Sequence, residues 1–200
     1  MKKAIIVGCE GQDGRYLFDS LGGRSYEVIG LASKSIRLKS GKMMKPVDIT
    51  DARQVASLVK KFKPDEIYFL AAFHHASEQK LKEKSGLFKK SFDIHVMALV
   101  HFLEGMRKHS PKTKFFYAAS SHVFGDPSKG RQDEATPFHP VCVYGITKAA
   151  GVHTCRFFRD SYSLFVSVGI LYNHESPRRS SKFVSQKIVQ TAIAIKNRKA

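Results

Sequence analysis

Tyr144 and Lys148 stand four residues apart in Tyr144-Gly145-Ile146-Thr147-Lys148. On a helix that spacing puts both side chains on one face. An ammonium beside a phenol favours the phenolate and draws its pKa below the usual value of about 10. A phenol so placed can act as general base or acid near neutral pH. Upstream, Phe116-Tyr117-Ala118-Ala119-Ser120-Ser121 reads as the end of a strand. The Ser120 hydroxyl is then expected at the rim of the same cleft, where it would orient a substrate hydroxyl or carbonyl against Tyr144. Small residues that merely close the strand are the competing reading, stronger for Ser121 than for Ser120.

A second constellation lies near the N-terminus. Gly8-Cys9-Glu10-Gly11-Gln12-Asp13-Gly14 forms a G-x-x-G-x-x-G turn directly after an apolar run. Glycines let the backbone turn tightly and approach a pyrophosphate, and the following helix N-terminus offers amide donors and positive potential. Gly8, Gly11, Gln12, Asp13 and Gly14 are therefore candidate cofactor contacts. The next apolar run ends in Gly30-Leu31-Ala32-Ser33-Lys34-Ser35-Ile36-Arg37. A site selective for NAD places an acid here for the ribose 2′-hydroxyl. None is present, and Ser33, Lys34 and Arg37 suit a 2′-phosphate, which favours NADP over NAD; an ordinary basic loop is the alternative. Asp48-Ile49 is placed to meet adenine, with Asp48 either accepting from its amino group or starting the next helix.

These residues need a scaffold that brings strand ends together. Short apolar runs alternate with helical patterns, the mark of a parallel sheet covered by helices. Strands are expected at 4–8, 27–32, 43–47, 66–71, 114–119 and 165–171, and helices at 12–22, 51–62, 86–109, 143–160 and 180–197. In 51–62, Ala52, Val55, Ala56, Leu58, Val59 and Phe62 make one apolar face, Asp51 meets the helix dipole favourably, and Pro64 stops the helix. Apolar faces also run along 86–109 (Phe88, Phe92, Val96, Leu99, Leu103) and 143–160 (Val152, Cys155, Phe158). The pattern predicts an α/β fold, a doubly wound six-strand parallel sheet with helices on both faces. Ligands in such sheets bind beyond the carboxyl ends of the strands, at the switch point, and the motifs above all fall there.

Composition bounds the function. The 200 residues suit one domain. The hydrophobic share of 42% is globular rather than disordered. The apolar runs are too short for a membrane-spanning helix, and the N-terminal one is too short for a secretory signal. Three cysteines, Cys9, Cys142 and Cys155, without C-x-x-C spacing, argue against a disulfide scaffold or zinc site and fit a reducing, cytoplasmic setting. Lys and Arg number 34 against 17 acids, a net charge of +17 that suggests an anionic partner. The basic residues are spread along the chain rather than gathered with aromatics, which weighs against nucleic acid.

Taken together, the glycine turn, the strand-end Ser and Y-x-x-x-K resemble the extended short-chain dehydrogenase/reductases, and within them the GDP-mannose 4,6-dehydratases. Gly11-Gln12-Asp13-Gly14 is similar to their G-Q-D-G turn. Thr136-Pro137-Phe138-His139-Pro140 before Tyr144-Gly145 is similar to T-P-F-x-P…Y-G. The run Gly169-Ile170-Leu171-Tyr172-Asn173-His174-Glu175-Ser176-Pro177-Arg178-Arg179 nearly reproduces G-I-L-x-N-H-E-S-P-R-R. The resemblance covers all 200 residues but only roughly the N-terminal half of the family's length. It implies a Rossmann-type NAD(P)-binding domain over 1–200, with the smaller sugar-covering C-terminal domain missing.

The resemblance also implies a mechanism. NADP takes hydride from C4 of the hexose while Tyr144 removes the C4 hydroxyl proton, water is lost across C5 and C6, and hydride returns to C6. Lys148 would bind the nicotinamide ribose and tune Tyr144, and Ser120 would match the catalytic Thr/Ser. Leu70, Ala71, Ala72, His174 and Arg179 would contact cofactor, and Ser121 and Asn173 the nucleotide sugar, a GDP-mannose-like molecule. The loop of Arg178 and Arg179 approaches cofactor across a subunit interface in the family, and its helices pair between subunits, which implies a homodimer or homotetramer.

Two departures stand out. The family's S-T-S-E-L-Y-G is Ala119-Ser120-Ser121-His122-Val123-Phe124-Gly125 here, so His122 replaces the glutamate that acts as elimination acid/base. An imidazole titrates near pH 6.5 and can move protons, so His122 is a candidate catalytic residue, or else a polar rim residue. The loss leaves oxidation or reduction at C4 better supported than dehydration. A C4 reductase or epimerase, and a non-catalytic cofactor-binding module, are the alternatives. Phe73 stands where the family has glutamine, followed by His74-His75, a pair without further ligands at metal-binding spacing; no metal is expected.

Overall fold

The computed structural model describes residues 1–32, 36–38, 46–73, 84–126, 130–181 and 183–197, with the backbone alone at 36–38 and 84. Its strands are β1 (Lys2–Val7), β2 (Tyr26–Leu31), β3 (Ile36–Leu38), β4 (Glu66–Phe69), β5 (Lys114–Ser120) and β6 (Val166–Leu171), ordered β3-β2-β1-β4-β5-β6 in one sheet. β2, β1, β4, β5 and β6 run parallel. Ala-Ile-Ile-Val in β1 is apolar at every position because both sheet faces are covered there. The strand order reverses at β1 and β4, so a crevice opens beyond their carboxyl ends.

The third strand differs from expectation. Of 43–47, residues 43–45 lie outside the described residues and Pro46 and Val47 are irregular. The sheet instead takes Ile36–Leu38, antiparallel to β2. Only residues 32–35 separate the two strands, which suffices for a hairpin turn and not for the dozen or so residues of a parallel crossover. The sheet is therefore five parallel strands with one short antiparallel edge.

α1 (Gln12–Gly22) covers one face, where Phe18 and Leu21 pack with Ala4, Ile6 and Val28. The other face carries α2 (Ala52–Phe62), α4 (Ala98–His109) and α5 (Val143–Tyr162), whose Val55, Val59, Leu99, Phe102, Cys155 and Phe158 pack with Ile5, Val7, Ile67, Phe69 and Tyr117. Each Val, Leu, Ile or Phe among these, fully buried, contributes about 1.5–3 kcal/mol relative to exposure. Asp51 is the N-cap of α2, accepting from the amides of Arg53 and Gln54, and Lys63 ends the helix in the left-handed region. Ala52, expected on the apolar face, is exposed in the first turn.

Residues 86–109 do not form one regular helix. α3 (Lys84–Phe92) passes through a π turn (Asp93–Met97) into α4. The wide turn shifts the phase of everything upstream. Leu99 and Leu103 are buried as expected, but Phe88 and Phe92 are 39% and 37% exposed, and Ser91 and His95 are buried instead. α6 (Val184–Lys196) has no buried residue, and Val184, Ile188, Val189, Ile193 and Ile195 are all exposed. Among the described residues no helix is long and apolar enough to cross a membrane.

Candidate active site

Beyond the ends of β1 and β4 lies a cleft of about 830 Å³. Gly8, Gly11, Asp48, Ile49, Leu70, Ala71 and Ala72 line it, together with Ala32, Thr50 and Ile94. Gly8 adopts φ +92°, and a Cβ there would meet the Ala71 amide nitrogen at 2.8 Å. At Gly14 a Cβ would meet the Gly8 carbonyl oxygen at 2.3 Å. The first strand, the turn and α1 thus touch backbone to backbone. No side chain caps α1, whose N-cap is Gly11. Asp48 does not start α2. Its Oδ1 accepts from the Thr50 amide at 2.8 Å and hydroxyl at 2.7 Å, holding the loop on the cleft wall.

β5, the turn that follows it and the first turns of α5 bring together Ser120, His122, Tyr144 and Lys148, at the same carboxyl end of the sheet, although none of the four is among the residues lining that cleft. Ser120, buried at the strand end, accepts from the His122 amide at 3.3 Å. Burial pushes the Tyr144 phenol above its ordinary pKa, and a hydrogen bond with Ser120 opposes that shift. His122 is exposed; its ring stands edge-on to Tyr144, centroids 5.6 Å apart, and its Nδ1 lies 3.8 Å from Cys142 Sγ. Cys142 is the N-cap of α5, its sulfur accepting from the Gly145 amide. Lys148 is only 1% exposed. It donates to the Ala118 carbonyl at 2.7 Å and lies 5.7 Å from the Tyr144 ring centre, and burial brings its pKa down to about 7.

The pKa expectation for Tyr144 is thereby corrected. A phenol lowered by an adjacent ammonium was expected, whereas Tyr144 is raised. The reason is shared burial: the pocket that hides the phenol also strips the ammonium of water, so the lysine's own charge is weakened.

A model of the family described as GDP-mannose 4,6 dehydratase matches residues 5–200. The GDP-mannose 4,6-dehydratase of Yersinia enterocolitica is 33% identical over 207 residues, covering 95% of this chain and 54% of that protein. The human GDP-mannose 4,6 dehydratase is 31% identical over 210 residues, covering 96% and 55%. This chain belongs to the GDP-mannose 4,6-dehydratase family. It spans about half the length of these relatives. Two solved structures show the fold: dTDP-glucose 4,6-dehydratase of Bacillus anthracis in complex with NAD (TM-score 0.76, 20% identity, covering 96% of this chain and 62% of that one) and UDP-glucose 4-epimerase of Thermus thermophilus in complex with NAD (TM-score 0.75, 23% identity, covering 95% and 61%). It is a Rossmann-type sheet.

Within the GDP-mannose 4,6-dehydratase frame, the loop after β6 folds back over the glycine turn. His174 Nε2 meets Asp13 Oδ1 at 2.8 Å, and its Nδ1 meets the Tyr172 carbonyl at 2.7 Å; these two bonds raise its pKa, the backbone one more strongly. Gln12 Nε2 and Arg179 donate to the His174 carbonyl at 3.2 and 3.3 Å. Gln12 and Asp13 therefore engage this loop and are not among the residues lining the cleft. Arg179 stacks on Phe183, while Arg178 pairs with Asp19 at 2.8 Å over the Tyr16 ring. Asn173 is exposed beyond the end of β6, and Ser121 is half-buried in a short 3-10 turn (Ser121–Phe124). Ser33, Lys34, His74 and His75 lie outside the described residues, and only the backbone of Arg37 is described, within β3.

The sequence reading missed His95, Thr147, Cys142 and the Ala118 carbonyl. No signal pointed to His95: a constant helical phase through 86–109 sets Val96 in line with Phe92, Leu99 and Leu103, and the π turn shifts that phase. The Ala118 carbonyl left none, because backbone groups have no letter.

Proposed function

We propose that this chain carries the catalytic half of an NADP-dependent nucleotide-sugar dehydratase of the GDP-mannose 4,6-dehydratase type. The observation that carries the reading is the meeting of Ser120, His122, Tyr144 and Lys148 at the carboxyl end of the sheet that also opens the glycine-walled cleft. The residues fit a dinucleotide. Gly8 and Gly14 leave room for backbone only, α1 has no side-chain cap, and Asp48, Ile49 and Leu70–Ala72 wall the outer end. A nicotinamide dinucleotide bound there supplies the hydride acceptor and donor. Preference for NADP rests on the absence of an acid after β2 and on Ser33, Lys34 and Arg37.

Tyr144 removes the proton from the C4 hydroxyl, with Ser120 fixing that hydroxyl and the phenol together. An ammonium at Lys148, beside the Tyr144 ring, favours the phenolate. His122, exposed beside the Tyr144 ring, takes the part of acid and base in losing water across C5 and C6, with Asn173 and Ser121 assigned to the nucleotide sugar. His174 and Arg179 close over the glycine turn from the β6 side. Three free cysteines support a cytoplasmic place. The exposed Phe88, Phe92 and Met97 support a homodimer or homotetramer.

Incubation with GDP-mannose and NADP is expected to give a 4-keto, 6-deoxy product. Tyr144→Phe is expected to abolish turnover and leave cofactor affinity nearly unchanged, and His122→Ala to stop elimination. Full dehydratase activity in His122→Ala would remove His122 from the scheme. A C4 reductase or epimerase is the second reading, favoured by the imidazole in place of the glutamate; it predicts C4 exchange without loss of water.

A further inference from the structure

A buried histidine on the π turn is used by none of the chemistry above. His95 has no exposed surface, and both of its ring nitrogens are engaged. Nε2 accepts from the Phe73 amide at 2.7 Å, and Nδ1 lies 2.7 Å from the Thr147 hydroxyl oxygen. A backbone amide only donates, so Nε2 presents its lone pair and the neutral ring carries its hydrogen on Nδ1. The Thr147 hydroxyl lies 3.0 Å from the Val143 carbonyl and 3.0 Å from that of Tyr144, which only accept. Its hydrogen goes to one of them, and its oxygen takes the Nδ1–H. Each bond has a single direction: Phe73 amide to His95, His95 to Thr147, Thr147 to the first turn of α5.

Both ends of this relay border the site. Phe73 directly follows Leu70–Ala72, a wall of the cleft. The far end is the helical turn that holds Tyr144, with Lys148 one residue beyond Thr147. The His95 ring also stands edge-on to the Tyr144 ring, centroids 5.3 Å apart and planes at 89°. The ring arrives there from a π turn, a helix interruption that gathers at functional sites. Ser91, which precedes His95 by one turn, is buried as well, so the phase shift turns this polar stripe inward.

We infer that His95 is a positioning residue that locks the wall of the dinucleotide cleft to the helical turn carrying Tyr144 and Lys148, through Phe73 on one side and Thr147 on the other. The inference rests on the dinucleotide reading of the cleft. His95 acts through these neighbours and touches no reacting atom.

Two measurements test it. On the unaltered protein, nitrogen-15 NMR is expected to show a coupling across the hydrogen bond between the Phe73 amide nitrogen and His95 Nε2, with the ring proton on Nδ1. A ring protonated on Nε2 overturns the relay. NADPH affinity is then measured by calorimetry for wild type, Thr147→Ser and Thr147→Val, each first shown to be folded by its thermal melt. Thr147→Ser keeps the hydroxyl and is expected to bind within about twofold of wild type, whereas Thr147→Val strands the buried Nδ1–H and weakens binding about tenfold. A purely structural role would lower the melting temperature of the valine variant without this split in affinity. If Thr147→Val does not fold, His95→Phe, which keeps a ring of similar size and removes both the acceptor for Phe73 and the donor to Thr147, is expected to weaken binding in the same way. Equal affinity in the folded variant overturns the inference. A wild-type protein that binds no NADPH overturns the reading of the cleft instead.

Discussion

Lys148 shows how one buried cation links chemistry to stability. At 1% exposure it keeps one carbonyl partner, that of Ala118, and burial moves its pKa from 10.5 down to about 7. Below about pH 7 the lysine is charged in both folded and unfolded chains, and folding bears the full cost of burying that charge. Between about 7 and 10.5 the unfolded chain holds a proton that the folded one does not, so stability rises with pH across this window. Lys148→Met is therefore expected to melt several degrees above wild type at pH 6, the gap narrowing steadily towards pH 10. Melts across that range check it, and a gap independent of pH would show that Lys148 does not carry the shift. The methionine variant is also expected to be inactive, since it removes the ammonium that favours the Tyr144 phenolate. Spacing revealed that Tyr144 and Lys148 share a face. It could not reveal their pKa values, because desolvation depends on what the rest of the chain packs around them.

At the scale of elements, the glycine turn is the tightest junction. An alanine at position 14 would place its Cβ 2.3 Å from the Gly8 carbonyl oxygen and 2.7 Å from Cys9 Cα. Neither is the tip of a flexible side chain, so α1 must move off the loop. Gly14→Ala is expected to lose about 1–3 kcal/mol of stability, as overpacked sites do, and, on the proposed dinucleotide reading of the cleft, to bind NADPH about tenfold more weakly. Denaturant unfolding and calorimetry read the two effects separately. Much of this layer was legible in the chain: the five parallel strands are short runs of branched and aromatic residues, and Asp51 marks the start of α2. Two elements were not. β3 has three residues, and whether Ile36-Arg37-Leu38 pairs at all is decided by the neighbouring β2. The π turn escaped because a search at 3.6 residues per turn assumes a constant phase, which then assigned Phe88 and Phe92 to the core in place of Ser91 and His95.

With a net charge of +17 the molecule is strongly cationic, yet α6 presents apolar side chains to solvent. Val184, Ile188, Val189, Ile193 and Ile195 stand exposed along α6, and contiguous apolar surface of that kind promotes association. Replacing Ile188 and Ile193 together by lysine is expected to raise the concentration at which the protein stays monodisperse in sedimentation velocity. The melting temperature should stay unchanged, since α6 buries no residue. An unchanged sedimentation profile would clear this helix as a cause of association. The π turn matters at this scale for how the chain tolerates changes of length. Deleting one residue within Asp93–Met97 would restore a regular α-helix. Leu99, Phe102, Leu103 and Met106 anchor α4 in the core, so the upstream segment would be the part to swing, by about 100° per residue removed. The azimuth of α3 is thus set by a residue count rather than by any side chain, and an indel here would do more damage than most substitutions on its outer face.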